Sequence, residues 1–131
     1  MNSRNAILII DDHQKRKTEL SSRLRMQGFT IDVATGGFHS IHLVEKNHYH
    51  LVLIIDDMND LSTQETVSLI KTTALKKQIH IPVMVMRSAG QELDEDEIEY
   101  IKKENVNRIY AWENEFRTLL RQITTNMEQA A

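Results

Sequence analysis

Two pairs of adjacent aspartates are the residues best placed to do chemistry: Asp11-Asp12 and Asp56-Asp57. Each pair directly follows a short apolar run, Ile7-Leu8-Ile9-Ile10 in one case and Leu51-Val52-Leu53-Ile54-Ile55 in the other. Such runs are too short for a typical helix and show no alternation, so they read as strands buried on both faces, as in the middle of a parallel sheet. Carboxylates at the carboxyl ends of these strands fall where open α/β sheets place ligands and chemistry. If the two strands are neighbours, four carboxylates gather at one edge. They repel one another and call for a positive partner, either a divalent cation or a basic side chain. Arg87 is the basic candidate, since its fork engages a carboxylate bidentately and stays charged. A permanent ion pair between Arg87 and Asp11, Asp12 or Asp56 is one expectation; the other is that Arg87 points to solvent.

The rest of the chain reads as elements that position these acids. A polar segment from His13 to Gln27 predicts a first helix with a thin apolar face, Leu20 and Leu24 with Met26 nearby, and Gly28 ends it. Phe29, Ile31 and Val33 alternate with Thr30, Asp32 and Ala34, predicting an edge or near-edge strand. Gly36-Gly37 forms a turn without a phosphate-loop pattern, and Phe38, Ile41 and Val44 then follow at helical spacing up to Asn47. Ser62 with Glu65 makes a capping-box pattern ahead of a helix whose inward residues are Val67, Ile70 and Ala74. A fourth strand is predicted over Ile81 to Met86, with Pro82 tolerable at its start. A fourth helix starts near Asp94 in an acidic run, followed by a short strand, Arg108 to Ala111. Phe116, Leu119, Leu120, Ile123 and Met127 give the last helix a one-sided stripe. Five βα units in one short chain predict a doubly wound α/β sandwich, since a barrel needs eight.

The 131 residues suit one domain, 1–131, with 40% hydrophobic and 27% charged residues and a formal net charge of −3. That balance offers no electrostatic reason to expect nucleic acid or an anionic membrane. There is no cysteine, which removes disulfides and thiolate chemistry and fits a cytoplasmic setting. No stretch approaches membrane length. The histidines show no zinc-site spacing; His48 and His50, either side of Tyr49, lack an evident third ligand and read as surface residues.

The chain resembles the receiver domain of bacterial two-component response regulators from about Ala6 to Asn126. The matching residues are Ile7-Leu8-Ile9-Ile10-Asp11-Asp12, Gly28-Phe29, Val33-Ala34-Thr35-Gly36-Gly37, Leu51-Val52-Leu53-Ile54, Met58 and Ile81-Pro82-Val83-Met84-Val85. The resemblance implies a flavodoxin-like (βα)5 sandwich whose parallel five-stranded sheet has the order 2-1-3-4-5, with helices on both faces. It implies a phosphoacceptor aspartate at the end of strand 3 and a Mg²⁺ ion held by the acids around it. Asp11 and Asp12 match the metal-holding acids, with Asp56 as the third. An ungapped count puts the phosphoacceptor position on Ile55; a shift of one residue puts it on Asp56. The switch hydroxyl position falls on Arg87, with Ser88 next, the lysine position on Trp112, and the strand-5 aromatic on Ile109, with Tyr110 one along.

Three functions remain open. The first is a divergent receiver that signals by protein contact without phosphorylation. The second is a working phosphoacceptor with Asp56 as nucleophile and Mg²⁺ on Asp11, Asp12 and Asp56. The third, a small-molecule binder, lacks a glycine- or hydroxyl-rich loop after strand 1. None is an enzyme in the usual sense. A sensor kinase or downstream signalling protein is the expected partner. The face of helix 4, strand 5 and helix 5 would carry Tyr110 and Trp112 as contacts, or bury Trp112, and the same face is where receivers pair as homodimers. The chain is either stand-alone or a piece of a larger protein.

Overall fold

The computed structural model describes residues 5–55, 60–87, 107–110 and 116–130, with 95, 96, 99 and 103 between them. Its elements are β1 (Ala6–Ile10), α1 (Gln14–Met26), β2 (Thr30–Ala34), α2 (Gly37–Lys46), β3 (Leu51–Ile55), α3 (Thr63–Lys76), β4 (Val83–Arg87), β5 (Asn107–Tyr110) and, as the last helix, α4 (Phe116–Ala130). The predicted fourth helix, with Ile98 and Ile101, falls on residues that are mostly outside the described ones.

The five strands form one parallel sheet of order β2-β1-β3-β4-β5. The chain is therefore a doubly wound α/β sandwich with strands 1 and 3 adjacent. Every side chain from Leu51 to Ile55 is buried, as a central strand covered on both faces demands. Alternate strand residues feed two cores. Ile7, Ile9, Leu51, Leu53 and Ile55 pack with Leu20 and Leu24 of α1 and Leu119 and Ile123 of α4. Leu8, Ile10, Val52 and Ile54 pack on the other face with Val44 of α2 and Val67, Ile70 and Ala74 of α3. The Arg23 guanidinium lies 4.0 Å from the centre of the Phe116 ring and ties α1 to α4.

Several boundaries and faces differ from the sequence expectation. β4 begins at Val83, not Ile81, and reaches Arg87. Pro82 has no N–H for the ladder, but its carbonyl accepts the Val52 N–H at 3.0 Å. β5 starts one residue earlier than expected, at Asn107, and Ala111 lies outside the described residues. Phe38 is not inward: it is 64% exposed, because α2 buries Gly37, Ser40 and Val44 instead. Met26, at the end of α1, is 84% exposed, one step beyond the stripe of Lys17, Leu20, Ser21 and Leu24. Tyr49, between the two histidines, is buried.

Candidate functional site

Asp11 is the first residue past β1, and its N–H donates to the Ala34 carbonyl at 3.1 Å, which fixes it to the end of β2. Its Oδ1 accepts the His13 N–H at 3.0 Å. His13 then caps α1, its Nδ1 accepting the Arg16 N–H at 3.3 Å. That first turn brings the Arg16 side chain back over the strand end. Arg16 Nε donates to Asp11 Oδ2 at 2.8 Å and Nη2 donates to Oδ1 at 2.7 Å. This is a parallel two-bond ion pair, the strongest form a carboxylate makes with a side chain. The Asp11 side chain is 1% exposed and that of Arg16 27%. Asp12, the next residue, is half-buried.

The β1–β3 ladder pairs Ile7 with Leu51 through to Ile10 with Ile54. The next position on β1 is Asp11 and the next on β3 is Ile55. The pairing itself ends at Ile10 and Ile54, and Ile55, the last residue of β3, is buried in the core under α1 and α4. Asp56 and Asp57 lie outside the described residues, as do Ser88 and Trp112. Arg87 ends β4 opposite Tyr110, and Met86 pairs with Ile109. The side chains of Arg87, Ile109 and Tyr110 lie outside the described residues. An Arg87–Asp11 pair was one sequence expectation, and it falls on a side chain outside the described residues; among the described residues Arg16 engages Asp11. Among the described residues no cluster of three or more His, Cys, Asp or Glu is placed to hold a metal ion. Asp56, the third acid that the receiver resemblance places around a divalent cation, lies outside the described residues.

Arg16 was not singled out from the sequence, although a signal was present. Lys15, Arg16 and Lys17 occupy the first turn of α1, where no acidic residue stands. A helix N-terminus disfavours positive charge. Basic residues there suggest a partner outside the helix.

The loop after β3 is anchored by Asp60. Its Oδ1 accepts the Gly37 N–H at 2.9 Å and the Leu61 N–H at 2.8 Å, and its Oδ2 accepts the Phe38 N–H at 3.1 Å. Asp60 thus supplies the side-chain cap that α2 lacks locally. Slight burial pushes its acidity the other way, but the N–H groups of Gly37, Phe38 and Leu61 outweigh it and hold the carboxyl below its ordinary range. A Cβ on Gly36 would lie 2.8 Å from both Asp60 carboxylate oxygens, and one on Gly37 would lie 2.6 Å from Thr66 Oγ1. The two glycines are required by close approach. At the other end of α2, Lys77 Nζ donates to the carbonyls of Val44 and Asn47 at 2.8 and 3.0 Å.

His48 and His50 stack with ring centroids 4.7 Å apart. Tyr49 between them turns inward, and its hydroxyl donates to Asp32 Oδ2 at 2.6 Å. Burial, then the Asp32 hydrogen bond and charge, push the Tyr49 phenol well above its ordinary value.

No family model matches the chain. It is 28% identical over 88 residues to a transcriptional regulatory protein of Haemophilus influenzae, a CpxR homolog, which covers 67% of this chain and 36% of that protein. It is 39% identical over 54 residues to the sensor protein EvgS of Escherichia coli, 41% of this chain and 4% of that one. The chain therefore spans about a third or less of the curated relatives it matches. Among solved structures, the receiver domain of the Francisella response regulator 1452 superposes with a TM-score of 0.75 at 20% identity, covering 97% of this chain and 99% of that one. The receiver domain of the Arabidopsis thaliana histidine kinase CKI1, complexed with Mg²⁺ and BeF3−, gives 0.77 at 13% identity, covering 92% and 90%. The Vibrio cholerae chemotaxis protein CheY4 gives 0.73 at 17%, covering 88% and 96%. With its 2-1-3-4-5 parallel sheet, two helical layers and acid-ended central strands, the chain has the receiver-domain fold of response regulators and is similar in sequence to proteins of two-component signalling.

Proposed function

We propose that this chain is a receiver-like module of two-component signal transduction that works by binding a protein and does not depend on phosphorylation. The observation that carries this reading is Ile55. It is the last residue of β3, 4% exposed, and follows Ile54, which pairs with Ile10 just before Asp11. A phosphoacceptor at that position needs a carboxylate, and an aliphatic side chain packed in the core offers no nucleophile. The sequence departures at Arg87 and Trp112 point the same way, because a cation switch that moves on phosphorylation would need a hydroxyl and a lysine at those positions.

The partner in this reading is a sensor kinase or a downstream signalling protein. It would be contacted through the fourth-helix, β5 and α4 face, with Tyr110 and Trp112 as anchors, and a second copy could use the same face. Rigid aromatic side chains suit such a role because they cover large area at low entropic cost. The outer face of α4, with Arg117 and Arg121, is exposed and adds positive charge beside it.

The test is intact mass after incubation with a small-molecule phosphodonor and Mg²⁺, on the native chain and on Asp56→Asn. No phosphoryl adduct on the native chain is the expected result. A single adduct that disappears in Asp56→Asn would instead make Asp56 the phosphoacceptor, with Asp11, Asp12 and Asp56 around Mg²⁺, and would end this reading.

A further inference from the structure

We infer that Arg16 occupies, within the chain, the place that a divalent cation takes at the acids of a receiver, so that Asp11 is neutralised without metal. This deepens the proposed function and does not depend on whether Asp56 accepts a phosphoryl group. A carboxylate with a side chain 1% exposed has almost no contact with water, so its burial is costly unless protein groups replace that water. Arg16 supplies two hydrogen bonds, one to each oxygen, and the His13 N–H supplies a third. Three of the roughly four acceptor directions of the carboxylate are thus in use. A hard divalent ion would have to approach the same oxygens to within ~2.0–2.6 Å. A guanidinium nitrogen already lies 2.7 Å from Oδ1 and another 2.8 Å from Oδ2, so ion and guanidinium would crowd and repel. The guanidinium must leave before the ion can enter.

The chain is built to keep it in place. Arg16 sits in the first turn of α1, where the helix dipole repels a cation, so the ion pair with Asp11 is what favours its position. His13 fixes that turn at both of its atoms, its N–H on Asp11 and its Nδ1 under the Arg16 N–H. Arginine keeps its charge, and its planar fork meets both oxygens of the carboxylate at once. Lysine in its place would bring one point charge and could not close both oxygens at once.

The experiment uses Mn²⁺ as a paramagnetic stand-in for Mg²⁺ and reads the backbone amide of His13 by NMR, together with thermal unfolding in Mg²⁺. In the native chain the His13 amide is expected to show no selective Mn²⁺ broadening, and Mg²⁺ to leave Tm unchanged. Arg16→Ala is expected to bind Mn²⁺ more tightly by about tenfold or more, the scale on which surrounding groups alter metal affinity. Arg16→Lys, which keeps a charge and protects the fold, is expected to gain broadening to a lesser degree. Selective broadening of His13 in the native chain at the concentrations that broaden the variants would overturn the inference, as would variants that fold and gain none. Should no variant fold, the native spectrum alone decides. A phosphoryl adduct found by mass with no Mn²⁺ broadening at His13 would end the proposed function and leave this inference standing; broadening without an adduct would do the reverse.

Discussion

At the scale of single residues, three acids among the described residues are each held by a specific partner. Asp11 is closed by Arg16, Asp60 by three backbone N–H groups, and Asp32 by the Tyr49 hydroxyl. The Tyr49 pair predicts a pH dependence whose sign can be worked out. The phenol is an acid whose folded-state pKa is raised above its unfolded value of about 10. Its neutral form is therefore favoured by folding. The stabilisation is complete below about pH 10 and is lost as pH rises beyond that towards the folded value. Urea unfolding of the native chain should show stability falling above about pH 10, and Tyr49→Phe should flatten that fall. At neutral pH the same variant should lose about 1.5–3 kcal/mol, the contribution of a hydrogen bond to a charged group. An unchanged alkaline limb in Tyr49→Phe would mean that another group carries the dependence.

At the scale of elements, α2 is held at both ends by the segment that contains α3. Asp60 sits at its N-terminus and Lys77 at its C-terminus, the arrangement of charge that the helix dipole favours at each end. Ser62 and Glu65 cap α3 reciprocally, which fixes the start of that segment directly after Asp60. Asp60→Ala should cost about 1 kcal/mol, as loss of a helix cap does, and should speed hydrogen exchange at Gly37 and Phe38. Gly36→Ala should destabilise by a comparable amount, because its Cβ would press on the Asp60 carboxylate. With Asp60 already replaced, that pressure is gone. The double variant should therefore lose less than the sum of the single losses. Strict additivity would show that Gly36 has some other role. Asp60 also shows the sign expected of a depressed carboxyl: its contribution is present above about pH 4 and is lost as pH falls through the lowered folded value.

At the scale of the whole molecule, one sheet separates two cores that share few side chains. Leu24 belongs to the core under α1 and α4, and Ile70 to the core under α2 and α3; both are fully buried. Leu24→Ala and Ile70→Ala should each cost about 2–5 kcal/mol. Together they should add to within about 0.5 kcal/mol, since the sheet stands between them. Chemical unfolding of the two single variants and the double variant measures this. A large coupling would mean that the sheet transmits repacking from one face to the other. No helix of the described part is long and apolar enough to cross a membrane.

The sequence by itself determined the elements and the class of fold. Unbroken aliphatic runs at Ile7–Ile10 and Leu51–Ile55 required strands covered on both faces, and helical stripes such as Leu119 with Ile123 supplied the covering. The capping box at Ser62 was legible because its partners are three residues apart. Inward and outward faces were less legible where a helix packs on glycine: Phe38 shares the helical spacing of Ile41 and Val44, yet α2 buries Gly37 and Ser40 and leaves Phe38 exposed. The inward turn of Tyr49 was not legible because its partner, Asp32, lies 17 residues away on another strand. The candidate site was legible as acids and not as pairs. Periodicity reports which way a side chain faces its own element, whereas a charged side chain's partner is set by how loops bring separate segments together. Only the tertiary structure decided that the guanidinium at Asp11 comes from Arg16, folded back over the strand end by the cap at His13, and that the long-range carboxylate of Asp60 holds the start of α2.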